Sequence, residues 1–277
     1  MTGQLSALAQ GKAAGTTGYT SKLLKTGQTT QYDSELDDGY YEVGVAKSYT
    51  VNTSGAQSGT TNVDFTVLTS DTGAFVASTK RYNDTGKCGV FAITGGETAI
   101  ITGSVSNNGT FTLVEASADS MRFSQTVVDE ADAPSITIVK RYAYSNNTVT
   151  DNNTGLEWTR YRYPYGLSYN YNIWTGSTFN SIFAICTACN SASVGGHNDW
   201  RIPNCFEWLT LIDLSTNLPD PTAFPSFGSQ PVWLATTNKA TTTAAYYWTS
   251  GNNIYSGAKT NLALGVKIPL LVRGGTA

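Results

Sequence analysis

The run Val194-Gly195-Gly196-His197-Asn198-Asp199-Trp200-Arg201-Ile202-Pro203-Asn204, continuing through Cys205 to Leu214, gathers turn, ring and helix signals in one place. A glycine pair turns the chain, and Asp199-Trp200-Arg201 sets a large apolar ring between opposite charges. Pro203 then precedes a stretch with apolar residues at Phe206, Leu209, Leu211, Ile212 and Leu214. This pattern predicts a turn, a buried Trp200, and an amphipathic helix over Asn204–Ser215. Asn204 serves as N-cap and Glu207 lies three residues on. The planar fork of Arg201 suits a carboxylate or backbone carbonyls, which would lock turn to helix. Asp199, Trp200 and Arg201 thus read as a structural lock rather than an active site.

Outward from this point, Ser135–Tyr144 reads as a strand, and Asn152-Asn153-Thr154-Gly155 closes a hairpin onto Leu156–Trp158. A helix is expected at Ser177–Asn190, with Phe179, Ile182, Phe183 and Cys186 on one face. Pro219–Pro231 reads as an extended loop, followed by strands at Val232–Thr236, Ala245–Thr249 and Leu262–Val272. Trp200, Trp208, Trp233 and Trp248 are expected to fill the core, and Trp158 joins the structural set. Before all this, short apolar runs recur about every ten residues at Val63–Leu68, Ala74–Ser78, Cys88–Ile93, Thr98–Thr102, Thr110–Glu115, Arg122–Val128 and Ser135–Val139, a pitch that suggests a small β-sandwich. The expected division is a tail at 1–22, an opening segment at 23–45, an all-β sandwich-like module at 46–138, and a C-terminal domain at 139–277.

Three motifs in this order resemble the Lcl C-terminal domain family, named for the domain that ends a collagen-like bacterial adhesin. They are Thr148-Val149-Thr150-Asp151-Asn152-Asn153-Thr154-Gly155-Leu156-Glu157-Trp158, the stretch from Gly195-Gly196 to Leu211-Ile212-Asp213, and Tyr247-Trp248-Thr249-Ser250. The resemblance covers about residues 139–273. Lys25–Tyr32 and Asp37-Asp38-Gly39 resemble the segment that often opens members, so the residues between the two pieces read as an insertion. The resemblance implies a compact α+β domain of C-type-lectin-like character, found on adhesins and on exported or virion proteins. It implies binding, in some members of sulfated glycans by trimers, and no reaction. Glycan-binding members rely on basic surfaces; this chain departs from them with a net charge of -3.

Composition points the same way. Charged residues make up 13%, about half the usual share, so 27 glycines, 16 tyrosines and abundant Thr, Ser and Asn supply the polar surface. That is an outward-facing, turn-rich composition. Nucleic-acid binding, which needs clustered Lys and Arg, is not expected, nor is membrane insertion, because no stretch approaches twenty apolar residues. Met1–Ala14 lacks a basic start followed by an apolar core, so no secretory signal is read there. An outward-facing composition without that signal fits a particle protein released by lysis, with an extracellular or cell-surface location as the alternative.

Chemistry beyond binding finds few candidates. Cys186-Thr187-Ala188-Cys189 with Cys205 and His197 has the residue types of a zinc shell, and a Cys189–Cys205 disulfide is a second alternative; free thiols are the preferred reading. Asp33–Gly39 resembles the start of a calcium loop, but the glycine comes one place late and Gly44 stands where a closing Glu belongs. No metal and no cofactor is therefore expected. The single histidine leaves no Ser-His-Asp arrangement, and Glu157 and Glu207 are the only candidates for a carboxylate pair, so no catalytic residue is assigned.

Residues 161–174 are different. Five tyrosines and one tryptophan fall in fourteen positions, interleaved with Gly, Ser, Asn, Pro and Arg, the composition of an antibody paratope. Tyr161, Arg162, Tyr163, Tyr165, Tyr169, Tyr171 and Asn172 are therefore candidate ligand-binding residues. Asn252, Asn253, Tyr255 and Lys259 join them from a second polar loop at Gly251–Asn261. The expected function is non-enzymatic binding of a host-surface glycan or protein by a virion surface or fibre protein. It would sit among other virion proteins as a homo-oligomer, a trimer if it follows the family. The alternative is a structural capsid or tail decoration protein whose tyrosine loop makes subunit contacts.

Overall fold

The computed structural model describes residues 24–25, 44–88, 98–117, 119–131, 135–161, 182–225, 227, 231–241, 244–249, 253–258 and 270–274. Its strands are β1 (Tyr49–Asn52), β2 (Thr60–Ser70), β3 (Ala74–Val76), β4 (Arg81–Asn83), β5 (Thr98–Thr102), β6 (Gly109–Ala116), β7 (Ser120–Phe123), β8 (Ile136–Ser145), β9 (Thr148–Asp151), β10 (Leu156–Thr159), β11 (Val232–Thr237), β12 (Ala244–Thr249), β13 (Asn253–Ala258) and β14 (Val272–Gly274). Among the described residues two short helices, α1 (Ile182–Ser191) and α2 (Cys205–Leu211), accompany these strands in a β-rich fold. The strands form three antiparallel sheets in the orders β1-β9-β10-β14, β11-β12-β13 and β2-β8-β5-β6-β7-β4-β3.

The last of these is joined through β6, which pairs with β5 over Gly109–Thr112 and with β7 over Leu113–Ala116, so two sheet halves share one strand. Leu68 of β2 and Ile136 and Ile138 of β8 share a core with Phe75 of β3, Tyr82 of β4 and Met121 of β7, which requires the sheet to curl. Register shifts in β2 between Thr66 and Leu68 and in β6 between Leu113 and Glu115 supply local bends. β4 was not among the expected strands, and the 88–93 run lies almost wholly outside the described residues.

β8 shows why alternation is a reliable strand signal. Ile136, Ile138, Lys140, Tyr142 and Tyr144 are buried, while Val139, Arg141 and Ala143 between them are more open. Its inward face serves two cores. Ile136 and Ile138 line the curled sheet, whereas Tyr142 and Tyr144, with Val63 of β2, pack against α1 and Trp200. Lys140 is buried at the change-over, its Nζ 4.9 Å from the Tyr142 ring centroid. The border expected between residues 138 and 139 therefore falls inside one continuous strand.

The other border moves as well. β1 pairs with β9, Tyr49 opposite Asp151 and Asn52 opposite Thr148, so residues 49–52 belong to the C-terminal sheet rather than to the module. The seven-stranded sheet is inserted between β1 and β9. Its two ends meet in a narrow neck, where the Asn146 N–H donates to Gly59 O at 3.0 Å and Asn147 Nδ2 to Gln57 O at 2.7 Å.

At the far side of the module, Glu130 ties down the 104–107 loop. Its carboxylate accepts from Ser104 Oγ, the Val105 and Ser106 N–H groups and Asn107 Nδ2. Burial pushes its pKa up, but these hydrogen bonds outweigh burial and hold it below the usual carboxylate value. A depressed folded-state pKa adds stability that is present above the unfolded-state value, about 4.3, and lost as pH falls through the folded one. The acid limb of a urea-unfolding series should therefore be shallower for Glu130→Gln than for the wild type; an unchanged limb would show that the loop does not depend on this charge.

Candidate functional site

The lock expected at residues 194–207 forms as a physical object. Gly195 and Gly196 both adopt positive φ, 64° and 82°. A Cβ on Gly196 would stand 2.7 Å from that of Ala56, so the turn is pressed onto the neck. Trp200 is buried, its Nε1 donating to Val194 O at 2.9 Å. Its backbone is held from both sides by Asn190, which accepts from the Trp200 N–H at 2.7 Å and donates to Trp200 O at 2.9 Å. Arg201 forks onto Glu207, with Nη1 at 2.7 Å and Nη2 at 2.6 Å from its two oxygens. Glu207 also accepts from the Asn204 N–H, while Asn204 Oδ1 caps Phe206 and Glu207. This is the capping box read from the sequence, closed by the arginine. α2 ends at Leu211 rather than Ser215.

Asp199 points to a partner that no local pattern reveals. Arg273, from β14, donates through Nε to Asp199 at 2.6 Å and through Nη1 to Glu157 at 2.6 Å. The Arg273 hydrogen bond holds the Asp199 carboxyl below its usual range. Thr148 Oγ1 also donates to Glu157, and His197 Nε2 lies 3.3 Å from Glu157 Oε2. His197, expected in an exposed turn, is half-buried against the edge of Trp200, with ring centroids 5.9 Å apart. Glu157 and Glu207, the two carboxylates weighed for catalysis, are thus each engaged in a structural ion pair.

Cys189 and Cys205 sit apart from each other. Cys189 lies in the Trp200 core, whereas Cys205 packs at the edge of the core around Trp158, Trp208 and Trp248. The Cys189–Cys205 disulfide is not formed, and all four thiols are free. Cys186 Sγ donates to Trp200 O, and burial pushes its pKa up to about 11 and raises that of Cys189 well above the ordinary value. His197 turns to Glu157, not to these sulfurs. Among the described residues no three His, Cys, Asp or Glu side chains gather as a metal site would need; Asp33–Gly39 lies outside them. The buried face of α1 is Ile182, Ile185 and Cys189, not the face through Phe183, which is exposed. Phe179 lies outside the described residues.

The five tryptophans Trp158, Trp200, Trp208, Trp233 and Trp248 are all buried. The sheet β11-β12-β13 separates their two cores: Trp233, Ala245 and Tyr247 face α1, while Val232, Leu234 and Trp248 face α2. On the α1 side, register places three rings in a row. Trp233 of β11 stands opposite Tyr247 of β12, and Tyr247 opposite Tyr255 of β13. The Trp233 and Tyr247 rings meet edge to face at 5.6 Å, and Tyr247 and Tyr255 stack at 5.9 Å. Exposure rises along the row from 0% to 9% to 46%.

Of the ligand-binding candidates, Arg162, Tyr163, Tyr165, Tyr169, Tyr171, Asn172, Asn252 and Lys259 lie outside the described residues. Asn253 and Tyr255, expected in a loop, lie in β13, opposite Thr249 and Tyr247 of β12. Tyr161 is held where the tyrosine-rich segment begins. Its carbonyl accepts from Tyr144 Oη at 2.9 Å, and the Arg160 guanidinium lies 5.6 Å from its ring centroid. Ile182, where the described chain resumes, is buried in the same core as Tyr144 and Tyr247.

The sheets, the two short helices and the locked glycine turn define a β-rich domain interrupted by an inserted module. Residues 147–266 match the model of the Lcl C-terminal domain. That match points to an exported or adhesin-like protein. No curated protein and no solved structure matches the chain. No described helix is long and apolar enough to cross a membrane.

Proposed function

We propose that this chain is a non-enzymatic surface protein of a virus particle that binds a host-surface glycan or protein through an aromatic face. The observation that carries the reading is the row Trp233–Tyr247–Tyr255, which rises from the core to an exposed ring. Tyr161, where the tyrosine-rich segment begins, accepts from Tyr144 of the core that also holds Tyr247. A ring braced by a buried neighbour loses little freedom on binding and offers a flat apolar surface with a polar rim. The family match and the resemblance behind it favour a C-type-lectin-like domain of an adhesin-like protein that assembles as a homo-oligomer. The charge-poor composition favours a ligand recognised by stacking and hydrogen bonds rather than by counterion release.

The test replaces Tyr163, Tyr165, Tyr169 and Tyr255 with alanine. Anchors of this type contribute about 1–3 kcal/mol each, so binding to host cells or to their surface polysaccharide should fall below detection while the unfolding transition stays in place. Wild-type binding should change little between low and moderate salt. Intact binding sinks the reading. Lost particle assembly with a folded protomer favours the decoration protein, in which these rings glue subunits together.

A further inference from the structure

We propose that His197 is a proton-operated latch between the neck of the inserted sheet and the C-terminal domain. The inference is independent of the binding reading above. It rests on two neighbours that make opposite demands on one nitrogen. Gln57, in the neck turn Gly55–Gln57, donates through Nε2 to Gly195 O at 3.0 Å, which fixes the orientation of its amide. The same Nε2 lies 3.4 Å from His197 Nε2. An amide nitrogen can only donate, so this contact requires a bare lone pair on the ring nitrogen. Glu157 Oε2, 3.3 Å from that nitrogen, can only accept while ionised, and so requires a proton there.

A single nitrogen meets one demand at a time. In the neutral ring, Nε2 accepts from Gln57 and Nδ1 carries the proton; Glu157 tolerates this because Arg273 and Thr148 already donate to it. Protonation places a hydrogen on Nε2, which then donates to Glu157 in a charge-assisted bond and sets donor against donor at Gln57. Both partners are already at contact distance, so the ring need not move. The charged groups around it are Glu157 on β10, Arg273 on β14 and Asp199 in its own loop; the neck contributes only the uncharged Gln57, and Trp200 covers one ring edge. His197 is the only histidine in the chain, so a neck response between about pH 8 and pH 5, the range in which imidazoles usually change charge, reports on this ring.

The experiment is NMR of the full chain, labelled with ¹⁵N, across that range. At the high-pH end Nε2 should carry the shift of an unprotonated, hydrogen-bonded acceptor. The Gln57 side-chain amide protons should move with the same midpoint as the ring. Gln57→Ala removes the partner of the neutral form and should raise the midpoint, whereas Glu157→Gln removes the partner of the cation and should lower it. A ring that keeps its proton on Nε2 throughout, or a Gln57 amide indifferent to the titration, overturns the latch. The wild-type titration alone decides this if Glu157→Gln does not fold.

Discussion

Trp200→Ala should lower the free energy of unfolding by about 3–5 kcal/mol, the range for truncating a large buried ring. The ring sits in one core with Ile185, Cys189, Tyr144 and Trp233, drawn from two sheets and a helix, so no single element can shift to fill the space. The substitution also removes the indole hydrogen bond to Val194 O, which keeps the His197 N–H at 3.1 Å. Trp200→Phe keeps most of the apolar contact and should cost clearly less. Urea unfolding checks both. A soluble alanine variant with an unmoved midpoint would mean that the turn and helix hold without the ring.

The second large effect is expected at Glu157. Its side chain is only 13% exposed and serves Arg273, Thr148 and His197 together. Removing one partner of a fully buried ion pair costs about 3–5 kcal/mol. Arg273 is a quarter exposed and keeps Asp199 as a second partner, so Glu157→Ala should cost about 1–3 kcal/mol. A double-mutant cycle with Arg273→Ala separates the pair from the rest of the network. A coupling energy near zero would show that the ion pair is decoration on a strand pairing that is stable without it.

Local physics was legible in the sequence, and distant pairing was not. The capping box at Asn204 and Glu207, the hairpin at Asn152–Gly155 and the alternation along β8 all act within one or two turns of chain, where residue types constrain the backbone directly. The fork of Arg201 onto Glu207 belongs with them, since the residues lie six apart. Arg273 reaches Glu157 across 116 positions and Gln57 reaches His197 across 140; no spacing rule reports on such contacts. Six of the module's seven described strands were readable for the same local reason, and β4 at Arg81–Asn83 was not. Whether seven strands make two sheets or one depends on which edges meet, and only register settles that. Of the aromatic site, composition pointed to Tyr255 but assigned it to a loop, because a polar strand at a sheet edge carries the residues of a turn.

Because β2 and β8 line two cores without a break, they behave as a beam rather than a tether. A load applied at the far end of the inserted sheet is not absorbed by a slack linker. It is carried along β2 and β8 to Val63, Tyr142 and Tyr144, and arrives against α1 and the Trp200 ring. Tyr144 passes it on to Tyr161 through its hydroxyl, so a pull on the module is felt where the tyrosine-rich segment begins.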